Sequence, residues 1–226
     1  NVNLSLPEKR GFIALAKGYH GDTVGTMSVG AREVFHAVYE PLLYPCFLVR
    51  QPVLPFVDYH NESSFEKNLS AAIDDVHRVM KENRGRICAF ILEPLIQGAG
   101  GMNFYPPYYL RKIRELCDEF DIALVADEVF TGCGRTGSFF AFEKAGVWPD
   151  LIALSKGLSA GVVPFAATLA SEKIYQAFYS DDRSKTFFHG HSMTGSPIGC
   201  AAALASLDLY DAGAFPQKLL HLEKNH

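Results

Sequence analysis

An α/β fold with a mostly parallel, doubly wound sheet and helices on both faces is what this 226-residue sequence predicts. Three observations predict it. Short runs of continuous apolar character, without the alternation of a half-buried strand, mark strands covered on both sides. Segments of helical period lie between them. Charged residues stand at the ends of the apolar runs, where open α/β sheets gather their ligands.

Taken in order, FIALA at 12–16 is the first strand. From Phe65 the residues Leu69, Ile73, Val76 and Met80 recur at spacings of three and four, and Ser63 with Glu66 forms an S-x-x-E capping box, which together predict a helix. ICAFILE at 87–93 is the next strand. Pro106 and Pro107 suit a helix's first turn, and Leu110, Ile113, Cys117 and Phe120 mark the apolar face of that helix, with Arg111, Lys112, Arg114 and Glu115 off it. IALVADE at 122–128 and LIAL at 151–154 complete the buried strands. Strand–helix alternation of this kind implies right-handed crossovers. GCAAALAS at 199–206 reads as a helix packed closely against a neighbour, because its small residues allow close approach. Residues 215–226 are polar and weakly patterned, and no final element is expected there.

Composition narrows the function. Net charge is −4 with both signs interspersed, which argues against a nucleic-acid or anionic-membrane partner. The five cysteines are odd in number, form no C-x-x-C pair, and mostly sit in apolar runs, favouring a reducing compartment. No apolar run reaches bilayer length and no secretion signal opens the chain, so a cytoplasmic protein is the expectation. The start at Asn1 fits a segment of a longer protein or a trimmed terminus equally well.

The charged strand-end residues are Glu93, Asp127, Glu128 and Lys156. A carboxylate such as Asp127 at the end of an apolar strand needs a cation or good hydrogen bonds, so a salt bridge to Lys156 or an arginine stands beside a catalytic reading. Lys156 either snorkels to water or acts as a Schiff-base nucleophile, which requires it to lose its proton. A lysine and an aspartate in one pocket call for something between them. A pyridoxal ring fits, since its aldehyde takes the lysine as an imine and its ring nitrogen takes the carboxylate.

ILEPLIQGAGG, ADEVFTGCGRTG with FFAFE and PD following, LSKGL, and FFHGHSMTGSP resemble the class III, fold type I pyridoxal-phosphate aminotransferases. EPLIQGAGGM, DEVFTG and HGHS-x-TG together resemble the biotin-pathway branch of that class, whose amino donor is S-adenosylmethionine. The resemblance implies pyridoxal 5'-phosphate as cofactor, an amino donor and a keto acceptor as small-molecule partners, and a homodimer with shared active sites. It makes Lys156 the lysine that carries the cofactor and shuttles a proton, Asp127 the partner of the ring nitrogen, and Val129 a contact to a ring face. Tyr19, in Tyr-His-Gly, would stack over the ring and line the substrate site. Without the motif it reads as an aromatic plug. Gly190, His191 and Ser192 would reach across the dimer to the other subunit's phosphate and substrate. A zinc reading of His189 and His191 lacks a third ligand nearby. Glu93 would orient ring or substrate groups, or serve as a supporting structural acid, and Arg135 is equally ambiguous. Gly157 would keep side-chain bulk away where the chain turns beside the cofactor.

The resemblance covers a central portion of such enzymes. Residues 1–212 would form the cofactor-binding large domain, and 213–226 the start of a C-terminal segment. The phosphate-binding Gly-Ser turn would lie upstream of Asn1, and the arginine for the substrate carboxylate downstream of His226. Cys133 stands where the branch usually has phenylalanine. Two further readings remain open: another class III enzyme acting on ω-amino acids or ornithine-like donors, though Phe130 argues against the ornithine type, and an inactive dimerisation scaffold.

Overall fold

The computed structural model describes residues 3–32, 36–52 and 62–225. Its strands are β1 (Gly11–Leu15), β2 (Phe47–Val49), β3 (Ile87–Leu92), β4 (Ile96–Gln97), β5 (Asn103–Phe104), β6 (Ala123–Asp127), β7 (Leu151–Leu154) and β8 (Ala167–Ala170). Its α-helices are α1 (Val24–Ser28), α2 (Glu62–Glu82), α3 (Pro107–Glu119), α4 (Glu172–Gln176), α5 (Pro197–Asp211) and α6 (Ala214–Asn225).

Six strands form one sheet in the order β2-β1-β3-β6-β7-β8, and β4 pairs with β5 in a separate hairpin. All neighbours in the large sheet are parallel except β7 and β8. The antiparallel β8 is a departure from the run of parallel strands, and Ala167–Ala170 is too short and too exposed to announce itself as a strand. The chain starts at β1, steps to β2 on one side and then to β3 on the other. That reversal opens a crevice at the carboxyl ends of β1 and β3, where such sheets bind ligands.

The expected apolar faces are the core. Ile13, Leu15, Phe90, Leu92 and Leu124 of the strands cluster with Val76 and Met80 of α2 and with Leu110, Ile113 and Cys117 of α3. Each fully buried large side chain contributes about 1.5–3 kcal/mol. Arg114, off the apolar face, binds Asp150 at 2.8 Å, and the same Asp150 oxygen accepts the Leu124 N–H at 2.8 Å. One carboxylate thereby ties α3 to β6 and to the start of β7. The Ser63–Glu66 capping box falls on a side chain, that of Ser63, outside the described set, in a helix that begins by Glu62.

A second cluster joins Ala126, Ile152, Leu154 and Leu158 to Ala203 of α5. The small residues of α5 do what their size suggests. A Cβ on Gly199 would lie 2.4 Å from the Phe165 ring, and Ser206 Oγ donates to the Gly157 carbonyl at 3.2 Å. The expectation of no element at 215–226 is overturned: α6 runs to Asn225, seated on α5, with the Phe215 ring 5.7 Å from Tyr210. Its apolar residues are diluted by polar ones, so their period was hidden.

Candidate active site

Asp127 is the last residue of β6, and Lys156 opens a 3₁₀ turn two residues after β7 ends. The strands are paired with Asp127 opposite Ala153, so both residues leave the sheet at one edge. Lys156 has φ +28°, a region disfavoured for a side chain with a Cβ and common at functional sites. Ser155 Oγ donates to the Phe165 carbonyl at 2.8 Å and pins the chain just before it. The Lys156 ammonium lies over the Phe130 ring, 5.5 Å from its centroid. Among the described residues no carboxylate pairs with it, so the Asp127–Lys156 salt bridge is not formed.

Asp127 is only 7 % exposed, and its charge is met in another way. Oδ2 lies 2.7 Å from Nδ1 of His20, whose side chain is buried, and Oδ1 accepts the Val129 N–H at 3.1 Å. His20 was missed in the sequence, although it stands next to Tyr19 just beyond β1. Its only signal was that adjacency, since a histidine carries no mark of which strand end it faces.

Glu93, 5 % exposed, sits between two loops. Oε1 accepts the Tyr19 N–H at 3.1 Å and Oε2 the Gly98 N–H at 2.8 Å. Burial pushes its carboxyl above the usual range, opposed by those two bonds. The structural alternative weighed for Glu93 is thus visible: it fastens backbone on both sides of the crevice. Glu128 is turned away toward Thr131 and the Phe142 N–H, and burial pushes its carboxyl up as well.

Tyr19 donates its hydroxyl to Asp22 at 3.0 Å, and its ring stacks on His36 at 5.8 Å between centroids. The Asp22 hydrogen bond, then burial, hold the phenol above its usual range.

Lys156 also borders a cavity of about 1100 Å³ whose walls include Phe130, Cys133, Arg135 and Phe215. Among the described residues, Arg135, Lys144 and Lys156 give this lining three cations and no carboxylate. Gly157 serves this wall: a Cβ there would lie 2.8 Å from the Cys133 Cβ, so the glycine admits the 132–134 loop. This constraint from Cys133 stands beside the expected clearance for a cofactor.

Gly190, His191 and Ser192 are exposed and border no part of this cavity. Their turn is held locally, by His191 N–H to Thr194 Oγ1 at 3.0 Å and Met193 N–H to His191 Nδ1 at 3.1 Å. Among the described residues no group of three His, Cys, Asp or Glu side chains could hold a metal. No described helix is long and apolar enough to cross a membrane.

A mostly parallel sheet covered by helices, with a strand-end lysine and a buried, hydrogen-bonded aspartate at its carboxyl edge, places the chain in the α/β class. The family model described as "Aminotransferase class-III" matches residues 2–225, and the chain belongs to that family. Curated relatives include the adenosylmethionine-8-amino-7-oxononanoate aminotransferase of Geobacter sulfurreducens, 44% identical over 96% of this chain and 49% of the relative. The enzyme of that name from Staphylococcus aureus is 41% identical over 96% of this chain and 47% of its own length. The chain spans about half the length of the curated relatives it matches. Among solved structures, the Methanocaldococcus jannaschii enzyme of the same name is 34% identical with a TM-score of 0.81, over 96% of this chain and 48% of that one. An amine transaminase from an uncultivated Pseudomonas species, in its PLP-bound form, is 35% identical with a TM-score of 0.86, over 95% and 48%. The family and that neighbour imply pyridoxal 5'-phosphate as cofactor. The residues present fit it: a lysine with no carboxylate partner among the described residues, and a buried carboxylate already oriented by two donors.

Proposed function

We propose that the protein is a pyridoxal-phosphate-dependent aminotransferase of biotin biosynthesis, moving an amino group from S-adenosylmethionine to 8-amino-7-oxononanoate to give 7,8-diaminononanoate. The observation that carries this reading is the placement of Lys156 and Asp127 just beyond and at the ends of neighbouring parallel strands, one amine and one buried carboxylate at a single sheet edge. The names of the curated relatives support the substrate pair.

Pyridoxal 5'-phosphate, when bound, supplies the aldehyde and the electron-accepting ring. Lys156 Nζ would hold that aldehyde and then move a proton between the substrate carbon and the cofactor carbon. Asp127, fixed by His20 and the Val129 N–H, would keep the ring nitrogen protonated. Val129 and Tyr19 would border the ring, with Tyr19 also on the substrate side. Glu93 would act on this site through backbone, holding Tyr19 at one oxygen and Gly98 at the other.

Gly190, His191 and Ser192 are assigned to the phosphate and substrate of a second copy. Their exposure within one chain supports that assignment, as do the bare side chains beside them: Phe187 is 64 % exposed, Phe188 75 % and Met193 67 %. A homodimer with shared sites follows, in which 1–212 is the cofactor domain and 213–226 leads into a C-terminal segment.

A donor panel tests the substrate assignment. With 8-amino-7-oxononanoate as acceptor, S-adenosylmethionine is expected to give 7,8-diaminononanoate. Turnover with ω-amino acids alone would move the protein to another branch of the family.

A further inference from the structure

Tyr19, proposed above to border the ring, sits on a chain of polar partners. Its hydroxyl donates to Asp22 Oδ2 at 3.0 Å, and Asp22 Oδ1 lies 3.2 Å from Nε2 of His36. Asp22 alone is a poor anchor, because its side chain is 74 % exposed and water competes for both oxygens. His36 is 1 % exposed and fixed in the protein interior. The same imidazole lies against the Tyr19 ring, 5.8 Å between centroids and 20° from parallel.

Gly30, in the loop after α1, lies beside that imidazole: a Cβ there would be in ordinary van der Waals contact with His36 Cε1, at 3.6 Å. The next residue, Ala31, donates its N–H to the Gly18 carbonyl at 2.7 Å, tying this loop to the residue before Tyr19. Glu93 holds the Tyr19 N–H from the other side. Backbone, ring and hydroxyl of Tyr19 are therefore held from separate directions.

We propose that His36 is a positioning residue for Tyr19, supporting its ring by stacking and its hydroxyl through Asp22. The proposal rests on the reading of Tyr19 as a substrate-lining residue, and it concerns a residue to which that reading gives no part. His36 acts on the site through Tyr19. Its loss lets Asp22 turn to water and the phenol swing, which weakens substrate binding more than the proton transfer at Lys156. The hydrogen bond that Tyr19 donates to Asp22 is the foremost cause holding the phenol above its usual range, and the contact with His36 is the foremost cause holding the Asp22 carboxyl below its own.

The test compares His36→Phe, which keeps a stacking ring without the polar contact, with His36→Gln, whose amide nitrogen can take the place of Nε2. In the cofactor-free full chain, NMR of ¹³C-labelled tyrosine reads the Tyr19 titration, assigned by Tyr19→Phe. Tyr19 is expected to ionise at lower pH in His36→Phe and at the wild-type position in His36→Gln. In the loaded enzyme, KM for the amino donor should rise roughly three- to tenfold in His36→Phe, the range of one lost hydrogen bond, with kcat changed by less than about twofold. His36→Gln should restore KM. Identical Tyr19 titrations in wild type, His36→Phe and His36→Gln overturn the proposal. Should His36→Phe fail to fold, Asp22→Asn decides, because an unshifted Tyr19 titration in that exposed-site variant overturns it too. An unchanged donor KM in Tyr19→Phe would instead remove the substrate reading of Tyr19, while the titration still judges His36.

Discussion

Asp127 carries the residue-scale part of the account. A carboxylate this buried costs several kcal/mol unless it is well bonded, and it has a histidine on one oxygen and a backbone N–H on the other. Asp127→Asn keeps the shape and removes the charge that would hold a protonated ring nitrogen. Transamination is expected to fall on the order of 10²- to 10³-fold, the scale for losing one fixed electrostatic partner, while the cofactor absorbance band persists. Steady-state rates alongside absorbance spectra check this. At this scale the sequence was legible where a charge ended an apolar run, as at Asp127, Lys156 and Glu93. It was illegible where the partner came from a distant loop. Nothing near Asp127 in the chain points to His20, because that contact exists only once β1, β3 and β6 lie side by side, and nothing near Tyr19 marks His36, because the chain between β1 and β2 must first fold back on itself. The contact of Gly157 with Cys133 was hidden for the same reason.

Elements were read most surely where burial sets the pattern. β1, β3, β6 and β7 are continuous apolar runs because both faces are covered, and α3 shows its stripe because Leu110, Ile113 and Cys117 all reach the core. β2, β8 and α6 are short or partly exposed, so packing imposed little pattern on them. One electrostatic tie between elements is testable by pH. Lys9 Nζ lies 2.6 Å from Asp121 Oδ2 in the turn between α3 and β6, and Lys173 of α4 lies 3.0 Å from Oδ1. Lys9 first, then Lys173, hold the Asp121 carboxyl below the ordinary range. A depressed carboxyl stabilises the fold above its unfolded value, about 3.9, and that contribution is lost as pH falls through the folded value. The melting-temperature gap between wild type and Lys9→Met should therefore be full at pH 6 and shrink steadily below about pH 4. A gap that widens in acid would contradict this assignment.

At the scale of the whole chain, the proposed dimer would draw on large apolar side chains left bare near 190–192. Phe187, Phe188, Met193 and Ile198 are each more than 60 % exposed, around the very loop assigned to a second copy's phosphate. Such bare aromatic and aliphatic side chains are the ground on which the interface with a second copy is proposed here. Phe188→Asp is expected to shift the full chain toward monomer in sedimentation velocity and to lower activity with it, because Gly190, His191 and Ser192 would no longer reach their site. A dimer unchanged by that substitution would place the interface elsewhere.

The central claim is that Lys156 and Asp127 hold the two ends of one cofactor. Borohydride reduction of the full chain after incubation with pyridoxal 5'-phosphate, followed by peptide mass spectrometry, tests it most directly. The account predicts a phosphopyridoxyl group on Lys156, absent in Lys156→Ala. An unlabelled Lys156, or a label shared among surface lysines and unchanged in Lys156→Ala, would contradict it.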